Sequence, residues 1–290
     1  MPVAKFAPLI VTSDLRKRLR EALSEDIGPG DVTTRAVVNR PMSGRAVIIA
    51  RQDAIVCGLP VVEQIFLIAN RKMQMKRLRS DGDRVAKGER VFEVCGNLAA
   101  ILTAERVALN FLQRLSGIAT LTRRYVEAAG GIDGPRILDT RKTTPLWRDL
   151  ERYAVRVGGG VNHRFGLFDM VLIKNNHSDV AGGLAEAIGR VKRAQSRGKR
   201  LAIGVEARNI EEVRVAVAER ADLIMLDNMT RSQMRRALSE TPSTIATEAS
   251  GRMTPRRVRS LAGLPLQRIS VGALTHSAPA VDFALRYAKP

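Results

Sequence analysis

Leu201-Ala202-Ile203-Gly204-Val205-Glu206, then Ile210–Arg220, then Leu223-Ile224-Met225-Leu226-Asp227, run as an apolar strand, an amphipathic helix and a second apolar strand. Ile210, Val213 and Val217 fall on one helical face, and Asn209 sits where an N-cap belongs. The same unit recurs on both sides. Short β-rich runs stand at Arg136–Leu138, Met170–Ile173, Leu201–Val205, Leu223–Leu226, Ser243–Thr247 and Ile269–Gly272, and after a longer first interval they begin about 20 to 30 residues apart. Gly182–Ser196 fills one gap as a helix with Leu184, Ala187, Ile188 and Val191 on one side. Thr230 and Thr254-Pro255 mark two further helix starts. Strands alternating with helices at this spacing pair in parallel through right-handed crossovers. The pattern predicts a (β/α) barrel, incomplete in strand number, over residues 116–277.

Each run is followed by a polar or charged residue: Asp139, Lys174, Glu206, Asp227, Glu248, and Thr275-His276 beyond the last. One such residue is ordinary loop polarity. Repeated on every strand, it predicts a site where strand C-termini converge at the barrel mouth.

The first 115 residues lack this rhythm. Ser13–Ser24 reads as a helix, Glu25–Asp31 as a turn-rich loop, Arg45–Arg51 and Ala54–Val56 as strands, and Pro60–Ala69 as a helix. Gly82–Val94 reads as a hairpin about Lys87-Gly88. Thr103–Leu115 reads as a helix capped by Thr103, with Glu105 near its positive end and Ala104, Val107, Ala108, Phe111 and Leu115 inward. A domain boundary is expected near residue 115.

Composition narrows the classes. Hydrophobic residues make up 45% of 290, which suits a globular chain. There is no uninterrupted apolar run of about 18 residues, and Met1–Asp14 has no signal-peptide core, so a cytoplasmic protein is expected. Cys57 and Cys95 lie in no metal-like spacing and read as free thiols. The net charge of +19 attracts anions of any kind, and a solvated basic surface accounts for it equally well. One Trp and three Tyr offer few stacking platforms for nucleic acid.

Asp139-Thr140-Arg141-Lys142-Thr143-Thr144-Pro145 places adjacent cations and hydroxyls after a strand, which suits carboxylate or phosphate oxygens. Gly158-Gly159-Gly160-Val161-Asn162-His163-Arg164 and Leu172-Ile173-Lys174-Asn175-Asn176-His177 add His163, Arg164 and Lys174. Read singly, an Arg-Lys pair is solvated surface, a glycine run a loop and a His structural. Together the cations call for a ligand with several negative charges. Glu206 and Asp227 suit Mg²⁺ held with a phosphorylated ligand, or ribose hydroxyls. Ser250-Gly251 and Gly272 lie in loops after the last strands, where barrels bind phosphate. Zinc spacing, a hydrolase Gly-x-Ser-x-Gly and a Walker loop are all absent.

Glu25–Thr34, Thr103–Arg106, Asp139–Pro145, Tyr153–Val155, Gly158–Arg164, Leu172–His177, Leu226–Asn228 and Val271–Ser277 together resemble quinolinate phosphoribosyltransferase, the carboxylating nicotinate-nucleotide diphosphorylase family of NAD biosynthesis. The resemblance spans nearly the whole chain in order. It implies an N-terminal α/β sandwich domain, residues 1–115 joined by the tail 278–290, and a barrel of fewer than eight strands. It also implies a homodimer in which Arg106 reaches the neighbouring subunit's site. Thr140, Arg141, His163 and Arg164 would hold the carboxylates of quinolinate. Lys142 and Lys174 would face pyrophosphate and the reacting centre. Glu206 and Asp227 would bind ribose hydroxyls and Mg²⁺ of phosphoribosyl pyrophosphate, and Ser250, Gly251, Gly272 and His276 its 5-phosphate. The implied reaction is phosphoribosyl transfer with decarboxylation, without a nucleic-acid or membrane partner.

The sequence departs from the family pattern at four positions. Leu146 and Trp147 follow Thr144-Pro145 where the family writes Gly-Leu, Arg252 stands where a glycine is usual, and Gly204 where a carboxylate is common. Loss of glycine at 146 removes freedom at positive φ and predicts a different loop shape. These changes bear on the acid substrate more than on the phosphoribosyl donor. Two alternatives remain. One is a paralogue acting on another aromatic acid or base, though molybdenum-transport-associated relatives tend to lack the Asn-His-Arg and Lys-Asn-Asn-His patterns. The other is a basic nucleic-acid-binding protein, in which Glu206 and Asp227 would repel phosphates.

Overall fold

The computed structural model describes residues 6–196, 198 and 200–288. Contacts divide the chain into two compact units. One holds the residues up to Arg123, Asp149–Gly159 and the segment from Ala278 onward; the other holds Arg124–Arg148 and Gly160–Ser277. Relative to the division drawn from sequence, 116–123 and 149–159 go with the first unit; residues 1–5 and 289–290 lie outside the described residues.

Helix α1 (Ser13–Ile27) opens at Thr12, whose hydroxyl accepts the Leu15 N–H at 3.1 Å, and buries Leu15, Leu19 and Leu23. It continues through Glu25-Asp26-Ile27, expected as loop, and ends at Gly28 with φ 51°. Helix α2 (Val32–Val37) is capped by Asp31, which accepts the Thr34 N–H at 2.8 Å. Strands β1 (Ser43–Ala50) and β2 (Ala54–Ile55), helix α3 (Leu59–Ala69), and strands β3 (Gln74–Arg77), β4 (Arg84–Val85) and β5 (Arg90–Asn97) follow. The expected hairpin does not form. β4 pairs with β2, and β5 pairs with β1 and β3, so ladder partners distant in sequence win over the local turn.

Helix α4 (Leu98–Ala128) is one continuous helix of 31 residues. It overruns both expected ends, so Thr103 is not its cap. The Thr103 hydroxyl instead donates to Asp31 at 2.9 Å. Glu105 is likewise away from the helix start, and burial pushes its carboxyl above the usual range.

Beyond α4 the chain runs β6 (Arg136–Leu138), α5 (Arg148–Val157), which from Asp149 belongs to the first unit, and then, in the second unit, β7 (Val171–Ile173), α6 (Asn175–Ala181), α7 (Leu184–Gln195), β8 (Ile203–Ala207), α8 (Ile210–Ala218), β9 (Leu223–Asp227), α9 (Arg231–Ser239), β10 (Ala246–Ser250), α10 (Pro255–Ser260), β11 (Arg268–Ser270) and α11 (Ala273–His276). The sheet is parallel, with six strands in the order β6-β11-β10-β9-β8-β7. Val161 extends its β6 edge through a parallel bridge to Leu138. No described ladder joins that edge to β7, so the barrel is incomplete. Ile137, Ile173, Val205, Leu223–Leu226, Ala249 and Ile269 are buried in the sheet, and Val213, Ala216, Met234 and Ala237 are buried on its helices. Asn209, Thr230 and Thr254 cap α8, α9 and α10 as expected.

One strand lies later than its sequence suggests. Residues 242–245 form a turn, with Ile245 N–H donating to the Pro242 carbonyl at 3.0 Å, so β10 starts at Ala246 instead of Ser243. Glu248 therefore sits mid-strand, fully buried, and Ser250 takes the strand end.

Strand β12 (Phe283–Ala288) returns to the first unit and pairs antiparallel with β1, giving the order β12-β1-β5-β3. Gln113 Nε2 donates to the Phe283 carbonyl at 3.0 Å and Arg114 Nη1 to that of Ala278 at 3.2 Å, which ties this segment to α4. Behind the sheet helix α3 meets a buried acid. Asp81 accepts the Gly58 and Leu59 N–H groups, both at 3.0 Å, and the Tyr153 hydroxyl at 2.7 Å. Burial pushes its carboxyl upward against these three donors. Tyr153→Phe removes one donor from a buried acid, and should lower the unfolding free energy by about 1–3 kcal/mol in urea titrations; an unchanged midpoint would refute this account of the cluster.

Candidate active site

Parallel pairing brings the strand C-termini of the second unit to one end, and a cavity of about 740 Å³ opens there. Of the thirteen residues singled out in the sequence, twelve line it: Thr140, Arg141 and Lys142 after β6; His163 and Arg164 after Val161; Lys174 after β7; Glu206 and Asp227 near the ends of β8 and β9; and Ser250, Gly251, Gly272 and His276 beyond β10 and β11. Arg106, exposed on α4, is not among the lining residues.

The acid-binding end is organised by Asp139. Its carboxylate is fully buried and accepts Asn162 Nδ2 at 2.5 Å and the His163 N–H at 2.7 Å. This clamps the second loop against the end of β6. The three glycines before it take no part in the cavity. Gly158 is close-packed instead, since a Cβ there would meet Thr122 Cβ at 2.5 Å. Arg164 Nη1 donates to the Met170 carbonyl at 2.9 Å. Burial, and then the nearby Arg141 guanidinium, lower the proton affinity of Arg164. Two guanidiniums held this close repel each other, and a polyanion between them relieves that repulsion.

Lys174 Nζ lies 2.6 Å from Glu206 Oε1, a pair partly open to the cavity. Its backbone N–H donates to His177 Nδ1 at 2.9 Å, at the start of α6. Asp227 accepts Asn228 Nδ2 at 3.1 Å. Asn228 has φ 55° and its N–H donates to the Ser250 carbonyl at 3.0 Å, binding the ends of β9 and β10 together. A Cβ on Gly251 (φ 93°) would lie 2.2 Å from Asn228 Oδ1, so only glycine fits between them. At Gly272 a Cβ would meet Lys142 Cδ at 3.0 Å and His276 Nε2 at 3.1 Å, and the Thr275 hydroxyl donates to the Lys142 carbonyl at 2.7 Å. The last strand's loop thereby holds Lys142 in place.

The loop after Pro145 keeps the conformation that glycine would favour. Leu146 has φ 65°, and Trp147 N–H donates to the Thr144 carbonyl at 3.1 Å, a turn with proline second and positive φ third. Arg252 likewise holds φ 45°. Positive φ is thus adopted by non-glycine residues at both positions. Arg148 supplies restraint: its guanidinium donates to Thr143 Oγ1 at 2.9 Å and to the Phe165 carbonyl at 2.9 Å, joining both cation-bearing loops. At Gly204 the missing carboxylate's space is occupied, since a Cβ would come within 2.6 Å of Met170 Cε.

Sequence reading did not identify Leu172, Met225, Met253, Ser270 and Ala273 as lining residues, nor Arg148 as a tie. Apolar strand residues carry no signal that separates a cavity wall from a core. It also placed Glu248 at the mouth. Glu248 lies under the wall, with Oε1 3.6 Å from His163 Nε2. Burial raises its carboxyl to about 7; Ser270 and Arg268 oppose the rise, and Asp139 and Glu206 add to it.

A raised native pKa means that the folded chain keeps this proton where the unfolded chain has lost it. Stability therefore falls as pH rises from about 4.5 to about 7. Glu248→Gln removes that slope. Its unfolding free energy relative to the parent should rise between pH 4.5 and 8, by up to about 3 kcal/mol. A difference that stays flat across this range in pH-resolved denaturation would contradict a protonated buried Glu248.

Comparison with known proteins agrees with this geometry. The family described as quinolinate phosphoribosyl transferase matches in both its parts, the N-terminal domain over residues 31–116 and the C-terminal domain over residues 118–286. A probable carboxylating nicotinate-nucleotide pyrophosphorylase of Bacillus subtilis is 41% identical over 93% of this chain and 92% of its own length. A mitochondrial decarboxylating quinolinate phosphoribosyltransferase of Nicotiana glauca is 40% identical over 96% and 84%. Among solved structures, NadC from Streptococcus pyogenes superposes with a TM-score of 0.92 at 36% identity, covering 98% of this chain and 100% of its own. The nicotinate-nucleotide pyrophosphorylase of Francisella tularensis gives 0.88 at 38% identity, covering 95% and 96%. With both domain families matched in order and relatives of this closeness along nearly its full length, the chain belongs to the quinolinate phosphoribosyl transferase family.

Proposed function

We propose that this protein transfers the phosphoribosyl group of phosphoribosyl pyrophosphate to quinolinate with loss of CO₂, giving nicotinate mononucleotide and pyrophosphate for NAD biosynthesis. The observation that carries the reading is one cavity in which Arg141, Lys142, Arg164 and Lys174 converge opposite Glu206 and Asp227. A di-acid and a polyphosphate together carry the negative charge such a site is built to hold.

In this reading Thr140, Arg141, His163 and Arg164 form the end that receives the two carboxylates. They orient the pyridine nitrogen toward the anomeric carbon of the donor. That nitrogen attacks as pyrophosphate departs, through an oxocarbenium-like state. Lys142 and Lys174 stabilise the departing charge, while Glu206 and Asp227 favour the cationic sugar and bind its hydroxyls. Ser250, Gly251, Gly272 and His276 surround the 5-phosphate. Loss of the adjacent carboxylate as CO₂ leaves its electron pair on C2, where the positive ring nitrogen stabilises it, and a proton taken up from solvent at C2 completes the mononucleotide, so no protein nucleophile is needed.

Glu206 and Asp227 present hard oxygen donors that fit Mg²⁺. Among the described residues no group of three or more His, Cys, Asp or Glu side chains forms a protein-only metal site. The ion would therefore be held jointly with the donor's phosphate oxygens. When bound, it supplies charge neutralisation of the pyrophosphate. The same reading makes the protein a cytoplasmic homodimer without a nucleic-acid partner, with Arg106 completing the neighbouring subunit's site.

Incubation with quinolinate, phosphoribosyl pyrophosphate and Mg²⁺ should yield the mononucleotide and CO₂, and nicotinate in place of quinolinate should yield neither. Arg141→Ala should lower quinolinate-dependent pyrophosphate release by at least about a hundredfold, the size of a lost charge-assisted carboxylate contact of roughly 3 kcal/mol, with the melting temperature preserved. Near-normal turnover in that variant would sink the assignment. Mixing Arg106→Ala with Lys174→Ala subunits should restore turnover, because the hybrid dimer holds one intact site; mixtures as inactive as their parents, with subunit exchange verified, would exclude a shared site.

A further inference from the structure

Glu248 is a carboxylate that the reaction above does not use. It is fully buried, neither oxygen has a partner with good hydrogen-bond geometry among the described residues, and the Ser270 side chain beside it offsets the burial only in part. Burying an acid in this state is unfavourable, and a hydrophobic side chain would fill the position in β10 at lower cost. Its near neighbour toward the cavity is His163, whose side chain is only 7% exposed and whose Nε2 stands 3.6 Å from Oε1, beyond hydrogen-bond length and within ion-pair reach.

The other ring nitrogen is already engaged. His163 Nδ1 accepts the backbone N–H of Arg164 at 2.7 Å, which requires Nδ1 to carry no proton. A neutral ring then bears its proton on Nε2, directed at Glu248. The ring is thus hydrogen-bonded at its Nδ1 edge to the backbone of the arginine that faces the cavity, and its Nε2 edge faces the Glu248 carboxyl.

We propose that Glu248 is a positioning residue for the acid-binding end of the site: acting through His163, it fixes the ring's tautomer and thereby the placement of Arg164. This rests on the reading of that end as the quinolinate subsite. Glu248 is faced by Asp139 at the end of β6, Glu206 on β8, and Arg268 and Ser270 on β11, while Arg141 and Arg164 line the same cavity as His163. The Glu248 carboxyl titrates near 7, so the coupling strengthens as pH rises through that value and the acid becomes charged.

Two variants test it, Glu248→Gln, which keeps shape and removes charge, and Glu248→Leu, which removes the acceptor. Both should raise KM for quinolinate, on the order of tenfold for the leucine variant. KM for phosphoribosyl pyrophosphate should stay within about twofold, as for contacts the pair does not touch. The glutamine variant should match the parent below about pH 6 and diverge above about pH 7.5. The chain has three histidines, so nitrogen-detected NMR, with the His163 signals assigned by their loss in His163→Asn, should show that ring held as the Nε2–H tautomer in the parent and released in the leucine variant, while His177, whose Nδ1 also accepts a backbone N–H, stays unchanged. An unshifted quinolinate KM, or equal rises in both KM values, overturns the proposal. Should the parent not turn over quinolinate at all, the functional reading fails. The tautomer measurement then still decides the coupling: a ring unchanged between parent and leucine variant refutes it.

Discussion

Six strands that pair side by side in parallel can present their C-terminal residues at only one end. Everything at the site depends on this constraint. Thr140, His163, Lys174, Glu206, Asp227, Ser250 and Gly272 come from segments spread over more than half of the second unit's length, yet they line one cavity because each sits at or just past a strand end. The helices between them bury Val213, Ala216, Met234 and Ala237 and hold the ladder in register without taking part in the chemistry. The antiparallel sheet of the first unit offers no such convergence, since its neighbours run in opposite directions.

The assembled side chains store electrostatic tension that only the right ligand relieves. Arg164 is buried and lies close enough to the Arg141 guanidinium that its own charge is disfavoured. Lys174 is neutralised by Glu206 at 2.6 Å, so this end is balanced before substrate arrives. A di-acid next to the two guanidiniums gains their full attraction, while a neutral pyridine would leave them repelling. Asp139 makes this arrangement possible from below. Its carboxylate accepts a side-chain amide and a backbone N–H, which locks the loop that carries His163 and Arg164.

The strand–helix rhythm was legible because burial on both faces of a parallel sheet leaves short apolar runs with polar ends. The site residues were legible for the same reason, as Lys174, Glu206 and Asp227 close such runs. Features set by distant partners were not legible. The segment Gly82–Val94 looks like a hairpin locally, but Val85 pairs with Ala54 and Arg90 with Ile49. Thr103 looks like a cap, but α4 begins five residues earlier and its hydroxyl serves Asp31 instead. Glu248 looks like a strand-end acid because Ser243-Thr244-Ile245 has strand-like composition; the Pro242 turn consumes those residues and moves the acid into the sheet.

Leu146 and Arg252 separate what a loop's sequence prefers from what its surroundings impose. A bulky residue at positive φ costs roughly 1–2 kcal/mol in an L-chain. Both positions take it nonetheless, at φ 65° and φ 45°. The restraint comes from outside each turn. Arg148 grips Thr143 and the Phe165 carbonyl around the first, and Asn228, itself at φ 55°, is hydrogen-bonded to Ser250 beside the second. Leu146 is 80% exposed, so burial of its side chain does not account for the conformation. The two loops are therefore shaped by the ends of the strands they leave. A substitution away from glycine in them changes what is presented to the cavity and its rim, here a long cation in place of a hydrogen at position 252, while the backbone path that places Arg141, Lys142 and Ser250 persists.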